Sequence, residues 1–380
     1  MLIINANIKT MEDVDFENGY ILVSEGKIEE VGDMEYCPES QDEVYDAKGM
    51  TLYPGFIDAH CHLGMWEDAL GFEGDDGNEE TDPVTPQLRA IDAINPLDRT
   101  FKEAVSGGIT TVLTGPGSAN AIGGSLVAIK TKGRRIDNMI LKAEVGVKFA
   151  LGENPKNVYN DKNQAPNTRM ATTALIREQL KKAERYLTDI ENADDSEPEY
   201  DMKSEALLPI IKREQKAFFH AHRADDIFTA IRIAKEFNLD LVICHCTEGH
   251  LIADLLCDED VKIIAGPILG DRSKPELKNL ETFGIAKMFE KGLKTALCTD
   301  HPETPIQYLP LCAGVAVGAG LDYDEAIKAI TIYPAVICGI DDKVGSIKVG
   351  KDADFVLYDG DPLSPYNHPK QVFVNGAMCI

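Results

Sequence analysis

Residues 216–222 read KAFFHAH, and the chain then alternates in a way that decides the fold: ADDIFTAIRIAKEF (224–237), DLVICH (240–245), VKIIAG (261–266), ELKNLETFGIAKMFEKG (276–292) and LKTALCTD (293–300). The short apolar runs are strands buried on both faces, and the longer segments between them are helices. In the first helix Ile227, Ile231 and Ala234 fall at helical spacing, and Asp225 and Asp226 occupy the first turn, where the helix dipole favours negative charge. Strands separated by amphipathic helices form a parallel sheet. With GITTVLTG (108–115) and MILKAEVGVKFALG (139–152) upstream, the count is sufficient for an α/β fold of the (β/α)8 TIM-barrel type. A doubly wound open sheet is the alternative, but no GxGxxG follows an early strand.

Both ends of the chain read differently. LIINANI (2–8), GYILVSEGKIEEVG (19–32) with Glu25-Gly26 at a tight turn, and MTLYPG (50–55) are short strands. So are DADFVLYDG (352–360) and KQVFVNGAMCI (370–380), the latter turning at Asn375-Gly376. The expected organisation is a discontinuous β-sandwich from residues 1–53 and 345–380 around a metal-binding barrel at 54–344. Residues 64–85, acidic and rich in glycine, read as a loop over the barrel mouth. Residues 189–201, DIENADDSEPEYD, carry seven acids and no base and read as a solvated loop.

The 380 residues hold 38 Lys and Arg against 64 Asp and Glu, a net charge of −26. Such a chain repels phosphate backbones and anionic lipid, so neither nucleic acid nor a membrane surface is its expected partner. No apolar run is long enough to span a bilayer, and MLIINANIKTMEDVD lacks the features of a secretory leader. Nine cysteines without a CxxC pair point to free thiols in a reducing, cytoplasmic setting. The sandwich or an apolar helix face could pair subunits into a homo-oligomer.

The histidines carry the chemistry. There are eight, and all but His368 lie at or near strand ends: His60 and His62 in PGFIDAHCH, His220 and His222 in KAFFHAH, His245 closing DLVICH with His250 after it, and His301 behind Asp300 in CTDH. Barrel strands deliver their C-terminal ends to one mouth. Residues i and i+2 of a strand face one side, so an HxH pair can reach one ion. Imidazole nitrogens with a carboxylate suit a borderline divalent metal such as zinc, with manganese or iron as alternatives and one or two ions per chain.

PGFIDAHCH, the histidine pair on the fifth strand, CH on the sixth and TDH on the eighth together resemble the amidohydrolase superfamily, and VGSIKVGKDADFVLYDGDP (344–362) resembles its C-terminal return. GITTVLTGPGSANAIGG, VKFALGENPK and HAHRADD are similar to an imidazolonepropionase-related branch. The resemblance implies that His60 and His62 hold a first metal and His220 and His245 a second, with Asp300 contacting the first and the attacking water. His222 could replace or assist His220. Relatives bridge the two metals with either a carboxylated lysine or a glutamate from the fourth strand, and both Lys148 and Glu153 are candidates here.

The reaction so implied is hydrolysis of a non-peptide carbon–nitrogen bond, an amide or cyclic amide, in a small molecule by metal-activated hydroxide. Asp300 would act as general base and then acid, with His245 beside it. A mononuclear deaminase or an imidazolonepropionase-type enzyme is the alternative, although the acid such enzymes usually carry just after the fifth-strand histidine is replaced by Arg223 and Ala224. The same metal chemistry also serves phosphotriesterases and lactonases. A non-catalytic binding protein on this fold is the alternative of another class, set against a chain that retains every ligand type. For substrate contacts, the candidates are Arg223 as a carboxylate clamp, His250, His301, and the backbone N–H groups of GPGSANAIGG (115–124). Arg223 could instead pair with Asp225 or Asp226.

Overall fold

The computed structural model describes residues 1–39, 43–68, 70–193 and 198–380. Eight strands form the barrel: β1 Phe56–Cys61, β2 Ile109–Thr114, β3 Ile122–Lys130, β4 Ile140–Ala150, β5 Lys216–Ala221, β6 Leu241–His245, β7 Lys262–Ala265 and β8 Thr295–Leu297. They pair in chain order. Beyond the strand ends the sheet closes through Asp300 N–H donating to His60 O at 3.1 Å and His62 N–H donating to His301 O at 2.9 Å.

The barrel departs from strict β/α alternation at one place. Strand β3 runs antiparallel to both β2 and β4, without a helical crossover on either side. The stretch 115–124, named above for its backbone N–H groups, is therefore a loop only as far as Ala121, and Ile122 to Gly124 begin a fully buried strand. A second correction concerns 276–292. Only Gly284–Glu290 forms an α-helix there, preceded by a single 3-10 turn at Pro275–Leu277. The helix at Ala224–Phe237 spans the residues expected of it and stops at Asn238, which takes the left-handed conformation that ends helices.

Side-chain alternation separates two apolar layers. Phe219, Ile243, Ile263 and Leu297 face the surrounding helices, among them Ala224–Phe237. Phe218, Val242, Cys244, Ile264 and Cys298 face inward, where the helix Ile332–Cys338 joins their cluster. All nine cysteines are free thiols. No helix among the described residues is long and apolar enough to cross a membrane.

The chain ends make one further sheet. Phe355–Tyr358 pairs antiparallel with Thr51–Pro54, which lies beside Leu2–Ile8. The first half of Leu2–Ile8 pairs instead with Val44–Asp46, so the sheet divides there and folds over a core of Ile3, Ile8, Ile21, Phe355 and Phe373. Glu25-Gly26 and Asn375-Gly376 both have positive φ, as two-residue hairpin turns require. Of the stretch 64–85, Trp66, Asn78 and Glu80 line the cavity described below, and residue 69 is outside the described residues. In 189–201 the long helix Arg169–Glu191 continues into the stretch, and 194–197 lie outside the described residues.

The two sheets are joined by charge. Lys130, at the end of β3, is buried with its Nζ 2.9 Å from Asp352 and 2.5 Å from Asp354. Removing one partner of a buried ion pair leaves uncompensated charge, so Lys130→Ala should cost about 3–5 kcal/mol, seen as a lowered urea midpoint in equilibrium unfolding.

Candidate metal centre

Strand register sets the heights of the ligands. Ala221 is level with His245, so His220 and His222 flank the sixth-strand histidine. Lys148 pairs with Phe218 and thus lies one inward-facing step below His220. Asp300 has the inward parity of Ala296 and Cys298. His245 has the outward parity of Ile243, yet it reaches the mouth because φ is 74° at His245 and 49° at Cys246. Asp300 is also left-handed, at 52°. For residues with a Cβ this backbone is strained by roughly 1–3 kcal/mol each.

The donor atoms converge. Asp300 Oδ1 lies 3.4 Å from His60 Nε2 and 3.2 Å from His62 Nε2, and its Oδ2 is 4.0 Å from His245 Nδ1. Donor atoms of His220, His222 and His245 lie within 4.8 Å of one another, and so do those of His60, His245 and Asp300. His245 thus belongs to both groups. The outer ring nitrogens are fixed from behind: His62 Nδ1 meets Gly115 O at 2.7 Å, His245 Nδ1 meets Gly266 O at 2.8 Å, and His222 Nδ1 meets Thr247 Oγ1 at 2.7 Å. Such backing orients metal-binding imidazoles.

Burial disfavours the charged form of four of the imidazoles. It holds the imidazoles of His60, His220 and His222 well below their usual pKa and lowers His245 to about 4. Burial also lowers Lys148, whose Nζ is 2.8 Å from His60 Nε2. For Asp300 burial works in the opposite direction, but His245, His62 and Lys148 outweigh it and hold the carboxylate ionised far below its ordinary range. Asp300 Oδ1 and His222 Nε2 are buried without a hydrogen-bond partner among the described residues. Neutral imidazoles, an ionised carboxylate and unpartnered buried donors make a set that fits divalent metal.

The other expected site residues divide. Lys148 lies within the centre, whereas Glu153 opens the helix Glu153–Asp161, half-buried and absent from the cavity lining, its backbone N–H donating to Glu276 at 3.1 Å. Arg223 is bound to Asp225 by two hydrogen bonds of 2.9 Å and lines no part of the cavity. The local ion pair with Asp225, the alternative named above, is the contact this side chain makes. His250 packs on Phe283 and meets Thr247 O at 3.0 Å, away from the cavity lining. His301 is buried behind Asp300, where its carbonyl takes the His62 N–H. Gly117, Ser118 and Ala119 of the 115–124 stretch do line the cavity.

Two buried acids escaped the sequence reading. Asp58, two residues before His60, accepts from the N–H and hydroxyl of Thr299 and is pushed up to about 7 by burial. Glu276 places Oε1 3.5 Å from the Nε2 atoms of both His220 and His222. Asp58 had a signal, since its parity matches His60; Glu276, in an irregular loop, had none.

Comparisons with known proteins place the chain in a family. A profile of the Amidohydrolase family matches residues 216–379. An amidohydrolase from Thermotoga maritima MSB8 of known crystal structure is 39% identical, covers 100% of this chain and 99% of its own, and superposes with a TM-score of 0.96. The chain belongs to the amidohydrolases. Amidohydrolase tasK of Hapsidospora irregularis is 30% identical over 94% of this chain, which spans only 39% of that protein's length. An imidazolonepropionase of Fusobacterium nucleatum is 24% identical over 98% of this chain and 93% of its own.

If the buried lysine is the fourth-strand ligand, Lys148→Ala should lower bound metal by about one ion per chain while Glu153→Ala leaves it unchanged. Inductively coupled plasma mass spectrometry on protein purified without chelator or nickel resin decides between them.

Proposed function

We propose that this amidohydrolase cleaves a carbon–nitrogen bond of a small, non-peptide amide or cyclic amide with the help of two divalent ions, zinc first among the candidates. The observation that carries the reading is that His62, His220, His245 and Asp300 line one cavity of about 760 Å³, with His60 buried against Asp300 behind them. That volume suits a small ligand. The similarity to an imidazolonepropionase supports this class of bond.

His60 and His62 would hold one ion with Asp300, and His220 and His245 the other. Lys148 would lie between them as a carbamate. Its burial favours the free amine, the form that combines with carbon dioxide. When bound, the ions lower the pKa of water to about 7 and polarise a carbonyl.

The chain's own residues do the rest. Asp300, ionised and with an unpartnered Oδ1, takes the proton of the attacking water and returns it to the leaving nitrogen. The carbonyls of Gly115 and Gly266 hold the rings of His62 and His245 in place throughout. Trp66, Leu277 and Leu280 give the cavity apolar wall, while Asn154 and Ser118 give hydrogen-bonding groups. Among the described residues no arginine lines the cavity, and its Lys274 is paired with Glu276, which favours a substrate recognised by shape and amide hydrogen bonds rather than by a carboxylate clamp.

Asp300→Asn keeps the shape and removes the base. It is expected to retain metal while kcat on a responsive cyclic amide falls by about 10²–10⁴-fold. A fully active Asp300→Asn protein would overturn the role given to this carboxylate.

A further inference from the structure

We propose that Glu276 is a carboxylate donor to the second ion, acting with His220 and His222. This rests on the two-ion reading above and adds to it a ligand that comes from the loop after β7 rather than from a strand end.

Three observations carry it. Glu276 is 1% exposed, and its Oε1 stands 3.5 Å from the Nε2 of both histidines. That separation exceeds the usual N–H···O range of about 2.7–3.2 Å. It matches the edge of a tetrahedron around an ion with bonds of about 2.1 Å, which is about 3.4 Å. The neighbouring group has the same spacing, with Asp300 Oδ1 at 3.4 and 3.2 Å from His60 and His62.

The imidazole opposite is turned toward the carboxylate. Thr247 occupies His222 Nδ1, leaving Nε2 to face Glu276 without a hydrogen-bond partner among the described residues. The carboxylate is also fixed from behind. Its Oε2 accepts the Glu153 N–H at 3.1 Å, and Gly152, at φ 83°, leaves room that a Cβ would take, 2.5 Å from that oxygen. Lys274 Nζ, 2.9 Å from Oε1, balances the charge from the outer side, and Lys274 is itself 30% exposed. An ion pair alone would not require the carboxylate to reach inward between two imidazoles.

The test is metal binding. Chelator-stripped wild type, Glu276→Gln and Lys274→Met are titrated with cobalt(II), following visible absorption, ions per chain and affinity against a competing chelator. The wild type should take up two ions. Glu276→Gln should keep the first at unchanged affinity and bind the second at least about tenfold more weakly, with a changed cobalt spectrum. Lys274→Met should still take up two ions. Two ions bound to Glu276→Gln with wild-type affinity and spectrum would overturn the proposal and leave Glu276 as the partner of Lys274. Should the glutamine variant fail to fold by circular dichroism, Glu276→Asp replaces it; an unshifted spectrum there overturns the proposal equally. A wild type that binds one ion or none overturns the two-ion reading itself, and this proposal with it.

Discussion

The carboxylate of Asp300 is the point on which the molecule turns. It faces His60, His62 and His245 from the end of the last barrel strand, and His245, His62 and Lys148 together outweigh its burial and make its negative charge the stable form. Its own backbone N–H reaches across to His60 O, so the bond that brings the first and last strands together also fixes the catalytic geometry. Asp58 strengthens the same seam from inside by binding Thr299. Barrel closure and site assembly are therefore one event: a chain that has not joined β1 to the segment after β8 has no site.

Much of this was legible because the signals are local. Period-two histidine pairs at the ends of apolar runs marked the strands and the mouth together, and Glu25-Gly26 and Asn375-Gly376 announced their hairpins by turn chemistry alone. Strand β3 was hidden for a physical reason. Its first residues, Ile122-Gly123-Gly124, carry glycines that read as loop, and what makes them strand is the pairing of Ile122 with Phe149 and of the following Ser125 with Val147 on another segment. The segment 276–292 failed in the opposite direction: its composition suits a helix, but the chain is spent on a turn that buries Glu276 before Gly284–Glu290 can coil.

The position of His245 shows where pattern reasoning ends. Alternation along β6 would point it at the helices, as it does Ile243, and the strained backbone at His245 and Cys246 redirects it. That distortion is tolerated because its neighbours are fully packed. The net charge of −26 is equally silent about the site, which is assembled from neutral imidazoles and a handful of buried acids, while the bulk of the acidic side chains lies on the surface.

The sheet shared by the two chain ends has a consequence for synthesis. Thr51–Pro54 leads straight into β1, but its antiparallel partner, Phe355–Tyr358, is made some three hundred residues later. Throughout that interval the nascent chain carries an open strand edge next to the first pair of histidines. Pairings this distant in sequence form slowly and leave sticky intermediates meanwhile. A ribosome-bound chain of this protein thus carries Thr51–Pro54 without its partner until Phe355–Tyr358 arrives, and the speed of translation becomes part of its folding problem.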